Sequence, residues 1–99
     1  IRDWSSDVCS SDLTKDVNGS LLDNTLILYG SACSTTHNAR NYPLILAGGS
    51  DLGVKHGSYT VFEEKDERMS NLLLSMLNKL DIEKESFSDS TGKLSANII

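Results

Sequence analysis

Apolar side chains fall into two short uninterrupted runs and one periodic stripe, with mostly polar chain between them. Thr25-Leu26-Ile27-Leu28-Tyr29 is continuous in apolar character and stops at Gly30-Ser31. Pro43-Leu44-Ile45-Leu46-Ala47 repeats the pattern and stops at Gly48-Gly49-Ser50. Runs without alternation suit strands covered on both faces, as in a parallel sheet beneath helices. Pro43 fits a strand start, where its missing N–H costs little. Further on, Met69, Leu72, Leu73, Met76, Leu77 and Leu80 recur at i, i+3, i+4, i+7, i+8 and i+11, the spacing of an amphipathic helix. Asp66 and Glu67 near its start and Lys79 near its end match the helix dipole.

The remaining segments read as connections. Asn18-Gly19-Ser20 is a turn signal, and residues 34–41 form a loop rich in hydroxyls, amides and one imidazole. Residues 51–58 read as a loop centred on Lys55-His56-Gly57, and Tyr59-Thr60-Val61-Phe62 as a short strand. The charged run from Glu63 to Arg68 is a solvated lead-in to the helix. Met69 and Met76 are core filler. Ser86 to Gly92 has turn composition, with Phe87 placed to anchor it to the core. Two strands of central character and one helix cannot cover both faces of a sheet. The pattern therefore predicts an α/β chain that is a fragment of a larger mixed or parallel sheet domain with covering helices.

Composition changes this picture at one end. Residues 1–13, Ile1 followed by Arg2-Asp3-Trp4-Ser5-Ser6-Asp7-Val8-Cys9-Ser10-Ser11-Asp12-Leu13, read as a translated sequencing adapter and are set aside, leaving residues 14–99 as the native segment. The only Trp, Trp4, and one of the two cysteines, Cys9, lie in the adapter-like stretch. So do one of nine basic and three of fourteen acidic side chains, which leaves eight against eleven and a net charge of −3. A mildly acidic segment gives no electrostatic reason to expect nucleic acid or an anionic membrane as partner. Cys33 alone cannot make an internal disulfide, and its place after a strand suits packing better than nucleophilic attack. No stretch approaches the roughly 18 apolar residues of a membrane helix.

The chemistry-bearing residues are few. His37 and His56 are the only histidines, and both sit in loops that follow apolar runs. Sites in open α/β sheets form outside the C-terminal ends of strands, and neutral imidazole is a common metal ligand. Eighteen residues separate the two, so spacing alone makes no local ligand motif; loop-ordering hydrogen bonds explain each as well. Asn38 and Asn41 suit a supporting shell or an oxyanion contact, or simple turn bonding. Lys55 suits an anion or plain solvation. Gly48-Gly49-Ser50 is too short for a phosphate loop, and neither GxGxxG nor GxxxxGK[ST] occurs. Asp89-Ser90-Thr91-Gly92 is explained by an Asx or Ser/Thr turn.

Five words stand in a fixed order. They are Leu22-Asp23-x-Thr25-Leu26-x-Leu28-Tyr29-Gly30-Ser31; His37-Asn38-x-x-Asn41-x-Pro43-Leu44-Ile45-Leu46-Ala47-Gly48; Lys55-His56-Gly57; Ser70-Asn71-Leu72; and Ser86-Phe87-x-Asp89-Ser90-Thr91-Gly92-x-Leu94. Together they resemble the C-terminal end of the bacterial family of domain of unknown function 1552, the H-x-x-S-H-H motif proteins, over roughly residues 14–96. More distantly the pattern is similar to alkaline-phosphatase-like and sulfatase-like proteins. The resemblance implies an exported protein, periplasmic or extracellular, and a metal-dependent hydrolase-like site. In that site His37 and His56 are metal ligands, Asn38 and Asn41 support them, and a divalent metal is held together with the missing N-terminal half of the chain. The alternative is a non-catalytic secreted binding or structural protein. His-x-x-Ser-His-His does not occur in this chain, and Gly30-Ser31-Ala32-Cys33 follows the first run where phosphatase-like proteins carry an Asp-His pair. Residues 14–99 by themselves are expected to be inactive and marginally stable.

Overall fold

The first apolar run forms β3 (Leu26–Gly30) and the second β4 (Leu44–Gly48) in a computed structural model that describes residues 13–17, 19–63, 67–94 and 99. Before them come β1 (Lys15–Asp16) and β2 (Gly19–Ser20), and after them the α-helix α1 (Met69–Lys79). Short 3-10 turns occupy Leu22–Asn24 and Ser50–Leu52. An α/β composition is what the structure has. The chain divides after Asp51 into two compact units.

In the first unit β3 and β4 pair antiparallel, Leu26 opposite Gly48 and Gly30 opposite Leu44, in a sheet of two strands. The parallel arrangement suggested by the uninterrupted runs is not what these two strands adopt. A parallel crossover needs a dozen or more residues, usually a helix. The chain between β3 and β4 instead turns back on itself, with an isolated bridge between Thr35 and Asn38. Nor are the strands covered on both faces. Leu26, Leu28, Leu44 and Leu46 are half-buried, whereas the opposed pair Tyr29 and Ile45 is about half exposed, at 48% and 47%. One open face is normal for antiparallel pairing, and cross-strand aromatic–aliphatic contact still contributes there. β1 and β2 make a second antiparallel pair around the predicted turn, of which Asn18 lies outside the described residues.

Two glycines fix the geometry of this unit. Gly48 has φ +78, and a Cβ built there would stand 2.1 Å from the Thr25 carbonyl oxygen and 2.8 Å from that of Leu22. The chain thus closes on itself where β4 ends, and Gly49 N–H donates to the Leu22 carbonyl at 2.9 Å. At the other end, a Cβ on Gly30 would meet the Pro43 carbonyl oxygen at 2.4 Å. Both positions need glycine for close backbone approach. Among the described residues of this unit only Ser20 and Gly49 are buried, so backbone pairing rather than an apolar core defines it.

The second unit is organised by α1. Arg68 caps it in extended conformation without a side-chain bond, and its carbonyl accepts from Asn71 N–H at 3.0 Å. At the far end Ile82 N–H donates to Leu77 at 3.0 Å and Asp81 N–H to Asn78 at 3.3 Å. That is a Schellman closure, which requires a left-handed residue after the cap, and Asp81 takes it with φ +60. Leu74 is the most deeply buried side chain, at 1% exposure, with Leu72 and Val54 beside it in the buried apolar set.

The buried face overlaps the stripe read from spacing only in part: Leu72 is buried, and Leu73, Met76 and Leu77 are half-buried. Met69 and Leu80 are exposed, whereas Ser70, Asn71, Leu74 and Ser75 are buried. Asn71 and Ser75 turn inward because they have backbone groups to bond there. Three smaller expectations also change. Tyr59–Phe62 carries no strand, Phe87 is 42% exposed and does not anchor the tail, and Cys33 is only half-buried. Asp66 and the adapter-like residues 1–12 lie outside the described residues. Among the described residues no helix is long and apolar enough to cross a membrane.

Candidate functional site

The loop after β3 is built from backbone turns that display its side chains. Ser31 N–H donates to the Pro43 carbonyl at 3.2 Å, extending the ladder by one rung. The Ser31 hydroxyl then donates to the Cys33 carbonyl and accepts from Cys33 N–H at 3.2 Å. Ser34 N–H donates to Asn38 at 2.9 Å and Asn38 N–H to Thr35 at 3.1 Å, closing the turn Thr35-Thr36-His37-Asn38. His37 is left-handed at φ +57 and Asn41 at φ +51. A left-handed backbone is uncommon outside glycine, although Asn and His visit it more than most. His37, Asn38 and Asn41 are all exposed on this loop.

His56 belongs to the second unit, in the exposed Lys55-His56-Gly57 loop, where Gly57 has φ +89. The two histidines therefore have no common site described for them. Among the described residues no three of His, Cys, Asp and Glu gather as a metal would require. The donor set among the described residues does not by itself fit a metal centre, which needs three or four such ligands.

Side chains do converge at two other places, neither of which hydrophobic spacing revealed. In the first unit the Ser50 hydroxyl donates to Asp23 Oδ1 at 2.8 Å, and Ser20 N–H approaches Asp23 Oδ2 at 3.4 Å. Asp23 N–H returns a bond to the Ser20 hydroxyl at 3.2 Å. Ser50 first, then Ser20, holds the Asp23 carboxyl below its ordinary value. This knot ties the turn before β3 to the turn after β4.

In the second unit α1 grips the segment that follows it. Asn71 Oδ1 accepts from Thr91 N–H at 2.9 Å, while Asn71 Nδ2 donates to Thr91 Oγ1 at 3.2 Å and to Glu67 Oε2 at 2.9 Å. Ser75 Oγ accepts from Leu94 N–H at 2.8 Å and donates to the Asn71 carbonyl at 2.9 Å. Arg68 donates to the Asp89 carbonyl at 2.9 Å and meets Asp89 Oδ2 at 3.2 Å. The expected turn is present: Ser90 N–H donates to Phe87 at 3.0 Å, and Phe87 N–H to Ser90 Oγ at 2.9 Å. Two of the five ordered words, Ser70-Asn71-Leu72 and the one ending in Leu94, are thus joined in space. Their polar residues were the available signal, since a polar side chain on the core side of a helix needs a partner.

The Asp89 carboxyl lies below its ordinary value, first through the Ser70 hydroxyl and then through its own amide and Arg68. Ser70 Oγ is buried and completes no hydrogen bond of standard geometry. It acts on the carboxylate as a nearby dipole and not as a hydrogen bond. Both aspartates, with depressed folded values, favour the fold above the unfolded carboxyl pKa of about 3.9 and lose that contribution as pH falls below it. Acidification from pH 6 to pH 2 is expected to release the Ser20 and Thr91 amides in exchange measurements. Asp23→Asn and Asp89→Asn should flatten the two responses separately, and amides indifferent to pH in the unsubstituted chain would exclude this role.

Comparison of the chain with protein-family models, with curated proteins and with solved structures found no match.

Proposed function

We propose that this chain is the C-terminal part of an exported bacterial protein of the domain of unknown function 1552 family. Its loop after β3 would supply His37 to a site whose other groups lie on the rest of the protein. The ordered set of five words supports the family. The observation that carries the site is the left-handed His37 at the tip of a turn closed by two backbone hydrogen bonds. Strained non-glycine residues collect at functional positions, where the surrounding turn holds them. Asn41, left-handed in the same loop, and Asn38 beside His37 would support the imidazole. His56 is the second proposed ligand. A divalent metal and hydrolase-like chemistry are the activity this reading assigns to the longer protein, distantly alkaline-phosphatase- or sulfatase-like.

A second reading has its own observation. No three ligating side chains gather among the described residues, and no Asp follows β3. This favours a secreted binding or structural protein that keeps the sheet without the chemistry.

Zinc titration separates the two. The 99-residue chain, stripped with chelator, should bind Zn²⁺ no tighter than about millimolar, because one or two imidazoles make an incomplete site. The longer protein should carry stoichiometric metal by elemental analysis, and His37→Ala should lower it at least tenfold. Metal content unchanged by His37→Ala and by His56→Ala would remove both residues from the site. A metal-free longer protein would favour the binding or structural reading.

A further inference from the structure

The segment that α1 grips is attached to its own helix in a way that a second copy could reproduce. Every rung joins a side chain of α1 or its cap to the segment: Arg68 to Asp89, Asn71 to Thr91, Ser75 to Leu94. Three of these bonds reach backbone groups, the Asp89 carbonyl and the Thr91 and Leu94 amides. No apolar side chain from Asp81 to Lys93 is buried; Ile82 and Phe87 are 45% and 42% exposed. The bonds that hold the segment to α1 are therefore polar, and Leu94 is only half-buried.

The connection is also under strain. Asp81 occupies the left-handed position of the Schellman closure, where glycine is usual. Opening the connection relieves that conformation. Residues 81–86 are exposed, and three of the six are acidic, so an extended form is well solvated. Extended, residues 80–86 reach about 23 Å, more than the roughly 16 Å length of α1.

We infer that residues 87–94 exchange between copies of this chain, giving a closed dimer in which each copy's segment lies on the other's α1. The exchanged bonds are the same bonds, now between chains, and reciprocal exchange closes with two-fold symmetry. The linked segment competes at an effective concentration in the millimolar range, so exchange emerges near millimolar protein.

Sedimentation of the 99-residue chain from micromolar to millimolar, paired with isotope-filtered NMR on mixed labelled and unlabelled copies, tests it. The expected result is a dimer at the high end with an intermolecular contact between the Asn71 amide and Thr91. Asn71→Ala should abolish the dimer. Asp81→Gly, which strengthens the fold by removing strain, should reduce dimer at a given concentration by roughly fivefold or more. A chain monomeric throughout overturns the inference. So does a dimer without the filtered Asn71–Thr91 contact, or one unchanged by Asp81→Gly.

Discussion

Gly48→Ala is expected to destroy the β3–β4 hairpin, with a loss of about 3 kcal/mol or more in the first unit. Two effects combine. The left-handed backbone at φ +78 costs an L-residue about 1–2 kcal/mol. The new methyl would also stand 2.1 Å from the Thr25 carbonyl oxygen, a backbone atom that cannot swing away without opening the pairing between Leu26 and Gly48. Gly57→Ala is the matched control. Its φ is +89, but nothing lies within 4 Å of the added carbon, so it should cost only the conformational part, about 1 kcal/mol. Amide exchange along β3 and β4 reads the first change, and denaturant unfolding compares the two. Equal costs for the two substitutions would show that crowding at Gly48 is relieved by movement of the chain.

Asn71→Ala should cost about 3 kcal/mol and free residues 89–94. Asn71 is 3% exposed and uses its amide three times, accepting from Thr91 N–H and donating to Thr91 Oγ1 and Glu67. Each net bond contributes about 1 kcal/mol, and a buried group left without a partner costs somewhat more. Asn71→Asp keeps the acceptor for Thr91 N–H but loses both donors and sets a carboxylate against Glu67. It should therefore destabilise the unit while protecting the Thr91 amide better than Ala does. Exchange protection at Thr91 and Leu94 is the direct readout. Protection that survives Asn71→Ala would mean that Ser75 and Arg68 suffice.

The two apolar runs and the helical stripe located three of the elements to within a few residues, because continuous apolarity and 3.6-residue spacing are local properties. Their relation to one another was not local. Whether β3 and β4 lie parallel depends on the chain between Ser31 and Pro43, where a tight turn at Thr35–Asn38 replaces a crossover helix. The buried side of α1 is not local either. Spacing treats Asn71 and Ser75 as solvent-facing, but Thr91 and Leu94 bring amides that these two side chains satisfy. Tyr59–Phe62 has strand-like composition and no described partner strand, and composition without pairing does not make a strand. Of the candidate residues, His37, Asn38 and Asn41 could be placed together in one exposed loop from sequence order alone. The left-handed geometry of His37 and Asn41 could not, since it arises from how the turn closes.

The way Asn71 holds Thr91 has a consequence for how this region can drift between related chains. Two of the three positions that α1 contacts are read through main-chain amides, which every residue except proline supplies. Lys93 is exposed and Leu94 is held by its N–H, so both sites can change identity while the latch persists. At position 91 a serine would offer the same oxygen. The helix side has no such latitude: only an amide side chain at 71 supplies an acceptor and two donors from one planar group. Variation should therefore gather in the held segment and be scarce on the residues that hold it.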